Sequence, residues 1–193
     1  MKFSLSQVAR EAKACHLCEA HLPLGPRPVF RVGAKARLLI VGQAPGRRVH
    51  ESGVPWNDPS GDNLRAWLRM DRAIFYDRSR IAILPAGLCY PGTGKSGDLP
   101  PRPECAPLWH PRFRAALPGI ELTLLVGSYA QRFYLQESAK KSLTETVRAW
   151  REYAPAFFPL PHPSPRNRLW LKNNPWFLAE VIPALRRRVK RFV

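Results

Sequence analysis

Four short runs of apolar residues, each ending in small or polar residues, divide this chain. They predict strands over residues 37–42, 81–85, 122–127 and 157–160. Because almost every position in these runs is apolar and many are β-branched, the pattern indicates strands buried on both faces of a parallel sheet. The first run, Leu38–Val41, is followed at once by the turn Gly42–Gly46. Such a break predicts a loop at the carboxyl edge of the sheet, where open α/β sheets bind ligands.

The segments between these runs have apolar residues at helical spacing. Helices are predicted from the cap Ser4 as far as Cys15–Cys18, from the cap Ser60 over 61–69, over 104–116, over 128–135, over 142–152, and from the cap Asn174 through Pro175 toward Val193. Pro183 should kink the last helix, because proline removes a backbone donor and crowds the preceding turn.

Strands that alternate with helices predict an α/β fold. We expect a three-layer sandwich, in which helices flank a central, mostly parallel four-stranded sheet. A chain of 193 residues without an internal repeat or a long linker favours a single domain over residues 1–193. Two connections, 43–59 and 86–103, are too long to be simple links, and this makes them candidates for function.

The charge of the chain narrows the class of partner. Its 31 Lys and Arg residues exceed its 14 Asp and Glu residues, for a formal net charge of +17. Such an excess is typical of proteins that bind nucleic acid, whose phosphates supply much of the affinity. No apolar run approaches the length of a membrane span, and the first residues are too polar for a signal peptide. We therefore expect a monomeric protein of a bacterial-type cytosol or nucleoid, without a membrane partner.

One short motif suggests a different class of protein. Gly92–Ser96 resembles the end of a phosphate-binding P-loop, but Cys89 stands where that motif needs its first glycine. A P-loop also runs directly from a strand into a helix, whereas Gly97, Asp98 and a cluster of prolines follow here. An NTPase is therefore only a weak alternative.

The four cysteines form a close pair and a distant pair. Cys15 and Cys18 make a Cys-x-x-Cys motif, while Cys89 and Cys105 lie on either side of a loop rich in glycine and proline. Such pairs can converge on one centre, either a [4Fe–4S] cluster or a structural zinc ion, and the spacing alone does not choose between them. The alternative is four unrelated buried thiols, since free cysteine is commonly a core residue.

Two loops and the cysteine pattern together resemble the uracil-DNA glycosylase superfamily, and most closely its iron–sulfur (family 4) branch. Gly42–Gly46 is similar to the Gly-Glu-Ala-Pro-Gly loop of that branch, with Gln43 in place of the carboxylate. His162–Asn167 is similar to the His-Pro-Ser loop, with further features of the single-strand-selective and family 5 branches. The four cysteines match the branch in order and approximate spacing. The resemblance spans Cys15 to Asn167.

This resemblance implies catalytic roles for three residues. His162 would donate a hydrogen bond to the oxygen of the departing base. Gln43, as an amide, would orient water but is not a general base. Asp58, in a segment that resembles the Asp-containing loop of the family 5 branch, is the expected base, and Asp62 and then Glu51 are the alternatives. Catalysis through stabilisation of the leaving group, without a strict base, also stays open.

The resemblance also implies residues that contact the base and the DNA. The expected base pocket consists of Gly42, Gln43, Ala44, Trp56 and Asn57, with Trp56 in place of a stacking Phe. The expected DNA contacts are Arg102, Ser164, Pro165, Arg166 and Asn167, and the metal ligands would be Cys15, Cys18, Cys89 and Cys105.

One departure from the family bears on which base is recognised. The asparagine that reads uracil in the iron–sulfur branch is missing from residues 83–89, so Asn57, Asn63 or backbone groups would have to replace it. Uracil, hypoxanthine and xanthine all stay open as substrates. The predicted function is excision of a deaminated base from DNA by a monofunctional glycosylase. The alternative is a binder of damaged or single-stranded DNA, without turnover or with covalent trapping.

Overall fold

The computed structural model describes residues 4–95 and 97–192. Six strands are present in these residues: β1 (Leu38–Val41), β2 (Ile81–Ile83), β3 (Thr93–Gly94), β4 (Gly97–Asp98), β5 (Leu122–Val126) and β6 (Phe157–Leu160). Four of them form the main sheet, in the order β2-β1-β5-β6, and each neighbouring pair is parallel. The predicted α/β sandwich with a four-stranded sheet is confirmed, and the sheet is wholly parallel within the described residues.

The continuous apolar runs are explained by the two faces of this sheet. In β1, Leu38 and Ile40 point into one core, and Leu39 and Val41 point into the other. Successive side chains of a strand lie on opposite faces, so a strand covered on both sides needs an apolar residue at every position. All four β1 residues are fully buried.

Nine α-helices in the described residues connect and cover the strands: α1 (Leu5–Lys13), α2 (Arg47–Ser52), α3 (Pro59–Leu68), α4 (Arg72–Phe75), α5 (Cys105–Ala116), α6 (Ser128–Leu135), α7 (Leu143–Arg148), α8 (Arg168–Asn173) and α9 (Ile182–Val189). Residues of α3 and α9 pack in the first core, whereas residues of α1, α5 and α6 pack in the second. The sheet therefore has a helical layer on each face.

Several predicted boundaries were wrong. Helix α3 begins two residues earlier than expected, because its cap is Asp58 and not Ser60. The two long connections contain structure that their composition did not predict: α2 within 43–59, and the β3–β4 hairpin within 86–103. The predicted helix over 142–152 ends at Arg148 and continues as a 3₁₀ turn over Trp150–Tyr153, and neither α4 nor α8 was predicted.

The last helix accommodates Pro183 with a π-helical turn. Phe177–Val181 is π-helical, and the N–H of Ile182 donates to the carbonyl of Phe177, five residues earlier. A wider turn just before a proline relieves the crowding that its ring causes in a regular helix. α9 then runs to Val189 and ends in a 3₁₀ turn over Lys190–Phe192. Val193, where the prediction placed the end of the helix, lies outside the described residues, as do Met1–Phe3 and Ser96.

The extended segment before β1 closes one edge of the sheet. The N–H of Arg31 donates to the carbonyl of Ile83 at 2.9 Å, and Ile83 donates back to Arg31 at 2.6 Å. This antiparallel bridge covers the end of edge strand β2, where unpaired backbone groups would otherwise favour pairing with another chain. No helix within the described residues is long and apolar enough to cross a membrane.

Candidate active site

A cavity of about 360 Å³ lies at the carboxyl edge of the sheet, where the loops after β1, β2 and β6 meet. Its size is within the usual range for a site that encloses a small ligand. The predicted residues that line it are Gly42, Gln43, Ala44, Trp56, Asp58, His162, Ser164, Arg166 and Asn167. Two loops far apart in the sequence, 42–46 and 162–167, are thus brought to one cavity.

Trp56 forms one wall of this cavity against two predicted site residues. Its ring centroid is 5.6 Å from that of His162, with the ring planes inclined at 32°. A Cβ atom built on Gly42 would be only 2.7 Å from Cζ2 of Trp56. Glycine at this position therefore lets the indole lie directly against the backbone after β1.

The backbone of Trp56 is held in an unusual conformation by α3. Its φ is +59°, a left-handed value that is uncommon for a bulky residue. The buried guanidinium of Arg65 donates to the carbonyl of Trp56 at 3.1 Å, and a Cβ on Gly61 would be 1.8 Å from that carbonyl oxygen. The conformation of Trp56 thus depends on contacts with two residues of the next helix.

Asp58 has a structural role in addition to lining the cavity. Its Oδ1 accepts a hydrogen bond from the N–H of Gly61 at 2.8 Å, which caps α3. A carboxylate at this position also interacts favourably with the positive end of the helix dipole. The cap uses one carboxylate oxygen, and Oδ2 is not part of that bond. The carboxyl group of Asp58 and the ring of His162 line the same cavity.

His162 is held in place by contacts on three sides. Its carbonyl accepts a hydrogen bond from Nδ2 of Asn167 at 2.7 Å, and Nδ2 of Asn63 donates to the carbonyl of Pro163 at 2.8 Å. Gln131 anchors the preceding strand through its bond to the carbonyl of Leu160 at 2.9 Å. Burial lowers the pKa of His162 below its usual value, while the Asp58 carboxylate acts in the opposite direction. The imidazole is therefore neutral near pH 7.

The sequence did not predict Asp98, a second acidic residue of the cavity lining. It lies on the β3–β4 hairpin, which also brings Gly97 against the guanidinium of Arg166. Partial burial and the Asp58 carboxylate raise the pKa of Asp98, while Arg166 lowers it. Burial is the largest of these effects. Only the short hairpin places this side chain at the cavity, so sequence spacing held no signal for it.

Other predicted site residues lie elsewhere. Oδ1 of Asn57 accepts from the guanidinium of Arg72 at 3.1 Å, outside the cavity lining. The alternative bases are paired in helices, since Asp62 binds Arg65 at 2.5 Å and Glu51 binds Arg47 at 2.9 Å.

Within the His162 loop, Ser164 and Asn167 have backbone roles. Oγ of Ser164 accepts from the N–H of Arg166 at 3.2 Å, and the carbonyl of Ser164 accepts from the N–H of Asn167 at 2.9 Å. Pro165 is the exposed first residue of this 3₁₀ turn. These bonds shape the loop whether or not DNA is bound.

A buried histidine, His110, supports the cavity from helix α5. Nε2 of His110 lies 3.0 Å from the carbonyl of Pro85, which lines the cavity, and its Nδ1 lies 2.8 Å from the hydroxyl of Tyr134. Since a carbonyl only accepts, Nε2 carries the proton and Nδ1 accepts from Tyr134. Burial lowers the pKa of His110 to about 4. The sequence did not single out either residue.

The four cysteines surround one small cavity next to the active-site edge. Cys15, Cys18, Cys89 and Cys105 all line it, together with Arg102. The N–H of Leu88 donates to the sulfur of Cys105 at 3.3 Å. Burial raises the pKa of Cys89 to about 11 and that of Cys105 to about 12, so both are neutral thiols here.

The fit of these thiols to a metal centre is incomplete in this arrangement. Within the described residues, no group of three or more His, Cys, Asp or Glu side chains is placed to hold a metal ion. The donor set is nevertheless the four-thiolate set that iron–sulfur clusters and structural zinc use. Arg102, which is predicted to contact DNA, binds Glu104 at 2.8 Å, and its buried Nε has no hydrogen-bond partner among the described residues.

Comparison of the sequence with protein families gives one match that covers most of the chain. A family model, described as the uracil DNA glycosylase superfamily, matches residues 30–186. This chain belongs to that superfamily. A solution NMR structure of a candidate uracil DNA glycosylase from Methanosarcina acetivorans is also similar, at 16% identity and a TM-score of 0.47, covering 83% of this chain and 98% of that one. The family assignment rests on the family match, not on this structural likeness.

Proposed function

We propose that this protein is a monofunctional DNA glycosylase that hydrolyses the N-glycosidic bond of uracil or a related deaminated base. The observation that carries the proposal is the meeting of Gly42–Gly46 and His162–Asn167 at one cavity, with Asp58 and Trp56 between them. The proposal also fits the net charge of +17, since the substrate is a polyanion. Neither loop contains a lysine that would serve as an amine nucleophile, so we expect no lyase step.

Leaving-group stabilisation is the role we propose for His162. As the bond between C1′ and the base breaks, negative charge develops on the base and positive charge on the sugar. A neutral imidazole N–H, held in a cavity from which water is partly excluded, would donate a hydrogen bond to the base oxygen that gains charge. The lowered pKa of His162 favours this neutral form.

Water activation is the role we propose for Asp58. A water molecule adds its oxygen to C1′, and its proton passes to the carboxylate, so that the base leaves and the sugar gains a hydroxyl group. Gln43 also lines the cavity, and its amide would orient this water through a hydrogen bond. The cap to Gly61 fixes the Asp58 carboxylate, which limits the reorganisation needed during the reaction.

The flipped base would stack on Trp56, whose indole already lies beside His162. Stacking on an aromatic face is tolerant of base identity, because every base has a flat π surface. Ala44 and Pro85, which line the cavity, have no side-chain hydrogen-bonding group to select one base. We therefore propose a range of deaminated bases that includes hypoxanthine and xanthine as well as uracil.

The iron–sulfur branch is the finer family assignment that we propose. Cys15, Cys18, Cys89 and Cys105 would hold a [4Fe–4S] cluster, with zinc as the alternative metal. The cluster would act structurally by joining the amino-terminal helix to the loop that carries β3 and β4. The proposal places no step of the reaction at the cluster.

The test is single-turnover cleavage of labelled oligonucleotides that contain uracil, hypoxanthine or xanthine, followed by alkali. Strand cleavage at the modified base supports a glycosylase. His162→Ala should lower the rate on the order of 10² to 10³-fold, the usual effect of removing one such donor. His162→Gln keeps an N–H donor and should lose less. A stable complex without cleavage of any of the three substrates would instead support the DNA-binding alternative.

A further inference from the structure

The carboxyl-terminal helix places a second basic surface at the edge of the sheet opposite the candidate active site. A guanidinium nitrogen of Arg191 is 3.9 Å from Oε2 of Glu121, and one of Arg188 donates to the carbonyl of Pro155 at 3.4 Å. Glu121 directly precedes β5, and Pro155 lies just before β6. Because all four strands of the sheet are parallel, these contacts mark its amino edge, whereas the cavity is at its carboxyl edge.

This surface is a groove of about 350 Å³ with arginine along one wall. It is lined by Trp150, Ala184, Arg187, Arg188 and Arg191. Ala184, Arg187 and Arg188 lie in α9 at the spacing i, i+3 and i+4, and Arg191, in the 3₁₀ turn that follows, continues the same side of the helix. Leu185 and Val189, on another side of the same helix, are buried in the first core.

The floor of the groove is a packed aromatic side chain. Trp150 is almost fully buried and stacks on Phe158 with ring centroids 4.8 Å apart. Arg151 adds a further positive charge, since its guanidinium is 4.5 Å from the centroid of the Trp150 ring. The arginine side chains thus lie beside an aromatic floor that is already packed in the core.

Within the residues that the structure describes, the arginines of this groove outnumber the acidic side chains that pair with them. Glu121 is shared, because its other oxygen binds Arg37 at 2.5 Å. Arg187 is exposed, and Arg191 retains half of its side-chain exposure. Arg186, by contrast, is committed to the end of α3, where it donates to the carbonyls of Ala66 and Trp67 at 3.0 Å.

We propose that this groove binds the phosphate backbone of a second segment of nucleic acid. Guanidinium groups match phosphate oxygens in a two-pronged geometry, and a row of them along a helix suits a repeating polyanion. Strands of four or five residues separate the two edges of the sheet by about 13–17 Å before the loops are counted. A straight duplex lying across the carboxyl edge therefore does not reach the groove, and the second site engages a different segment.

A bridging experiment with undamaged DNA tests this proposal separately from the proposed chemistry. The protein is bound to a duplex on beads, and retention of a second, fluorescent duplex is measured. The test variant is Arg187→Gln/Arg191→Gln, and the matched control is Arg10→Gln/Arg132→Gln, which removes equal charge from exposed positions of α1 and α6. The wild type and the control should retain the second duplex, whereas the test variant should retain at least about fivefold less.

Salt dependence gives a second readout. In the wild type, the logarithm of retention should fall more steeply with the logarithm of salt than in the test variant, by about 0.9 for each phosphate contact removed. Equal retention by the two double variants would overturn the proposal, as would failure of the wild type to retain a second duplex. So would an acidic peptide that displaces the second duplex at lower concentration than nucleic acid itself. Excision of uracil should be unchanged in the test variant.

Discussion

The indole of Trp56 and the imidazole of His162 lie side by side, with their ring centroids 5.6 Å apart. They are distant in sequence, because Trp56 follows the first strand, β1, and His162 follows the last strand, β6. The indole packs against Gly42, where a Cβ atom would be only 2.7 Å from Cζ2 of Trp56. The proposed base pocket thus depends on the absence of a single methyl group.

Gly42→Ala should displace Trp56 from this position. A misplacement of about 1 Å in a catalytic constellation can reduce the rate on the order of 10²-fold, and we expect a loss of that size in single-turnover excision. Gly119→Ala is the matched control, because a Cβ there has its nearest contact at 3.5 Å, from the carbonyl of Ala36. Equal activity of the two variants would contradict the role assigned to Gly42.

Two substitutions of Asp58 should distinguish its role as the cap of α3 from its proposed role as the general base. Asparagine is also a good cap, so Asp58→Asn should change stability by only a few tenths of a kcal/mol. It should lower excision on the order of 10² to 10⁴-fold, because an amide does not accept the proton of water. Asp58→Ala should lose the same activity and about 0.5–2 kcal/mol of stability as well.

The control for Asp58 is Asp71, which caps α4 with the same geometry at 2.8 Å to the N–H of Ile74. Asp71→Asn should leave both stability and excision nearly unchanged. Stability is measured by urea unfolding and excision by single turnover. Full activity of Asp58→Asn would mean that the reaction proceeds without this carboxylate as base.

Acid should destabilise the protein through His110. Its pKa in the folded state is about 4, below the ordinary value of 6.5, so the unfolded chain binds an extra proton between these values. Protonation of His110 therefore does not lower the free energy of unfolding above about pH 6.5. As the pH drops from there toward 4, the free energy of unfolding falls by at most about 1.4 kcal/mol per pH unit.

His110→Gln tests this dependence by urea unfolding at pH 7, 6 and 5. The variant should be less stable at pH 7, because it loses the bond with Tyr134, but its stability should decline less steeply with acid. The control substitution is His21→Gln, which removes an exposed histidine instead of a buried one. An unchanged slope in His110→Gln would show that acid acts elsewhere.

Removal of one thiol should reveal the proposed metal centre. Wild-type protein purified without oxygen should contain iron and sulfide and absorb visible light. Cys89→Ser should lose most of the metal and show a melting temperature lower by roughly 10 °C, since structural metals contribute several kcal/mol to folding. Zinc without sulfide would select the alternative metal, and the absence of both would refute the centre.

The strands of the main sheet were predictable from the sequence, because a strand that is buried on both faces is a continuous run of apolar residues. The apolar runs around Leu39, Leu124 and Phe158 predicted three strands close to their observed positions. Short helices left no comparable mark. α4 spans four residues and depends on the cap Asp71, while α2 lies within a loop whose composition resembles that of an ordinary connection.

The candidate site was predictable where it followed a strand and unpredictable where it did not. Gly42–Gly46 and His162 come directly after β1 and β6, and parallel strands bring such loops to one edge. Asp98 reaches the cavity only through a two-residue strand pair, and Asn57 turns away because Arg72 binds its amide. Hydrogen bonds and hairpins of this kind depend on residues distant in sequence.

By itself, the sequence determined the α/β class, the two loop motifs that predict a site and the excess of positive charge, because continuous apolar runs, motif letters and charge are properties of the chain alone. The tertiary structure decided that Trp56 and His162 form one wall, that Asp58 both caps α3 and enters the cavity, and that the arginines of α9 lie at the opposite edge. These relationships arise from packing between distant segments, which no local pattern encodes.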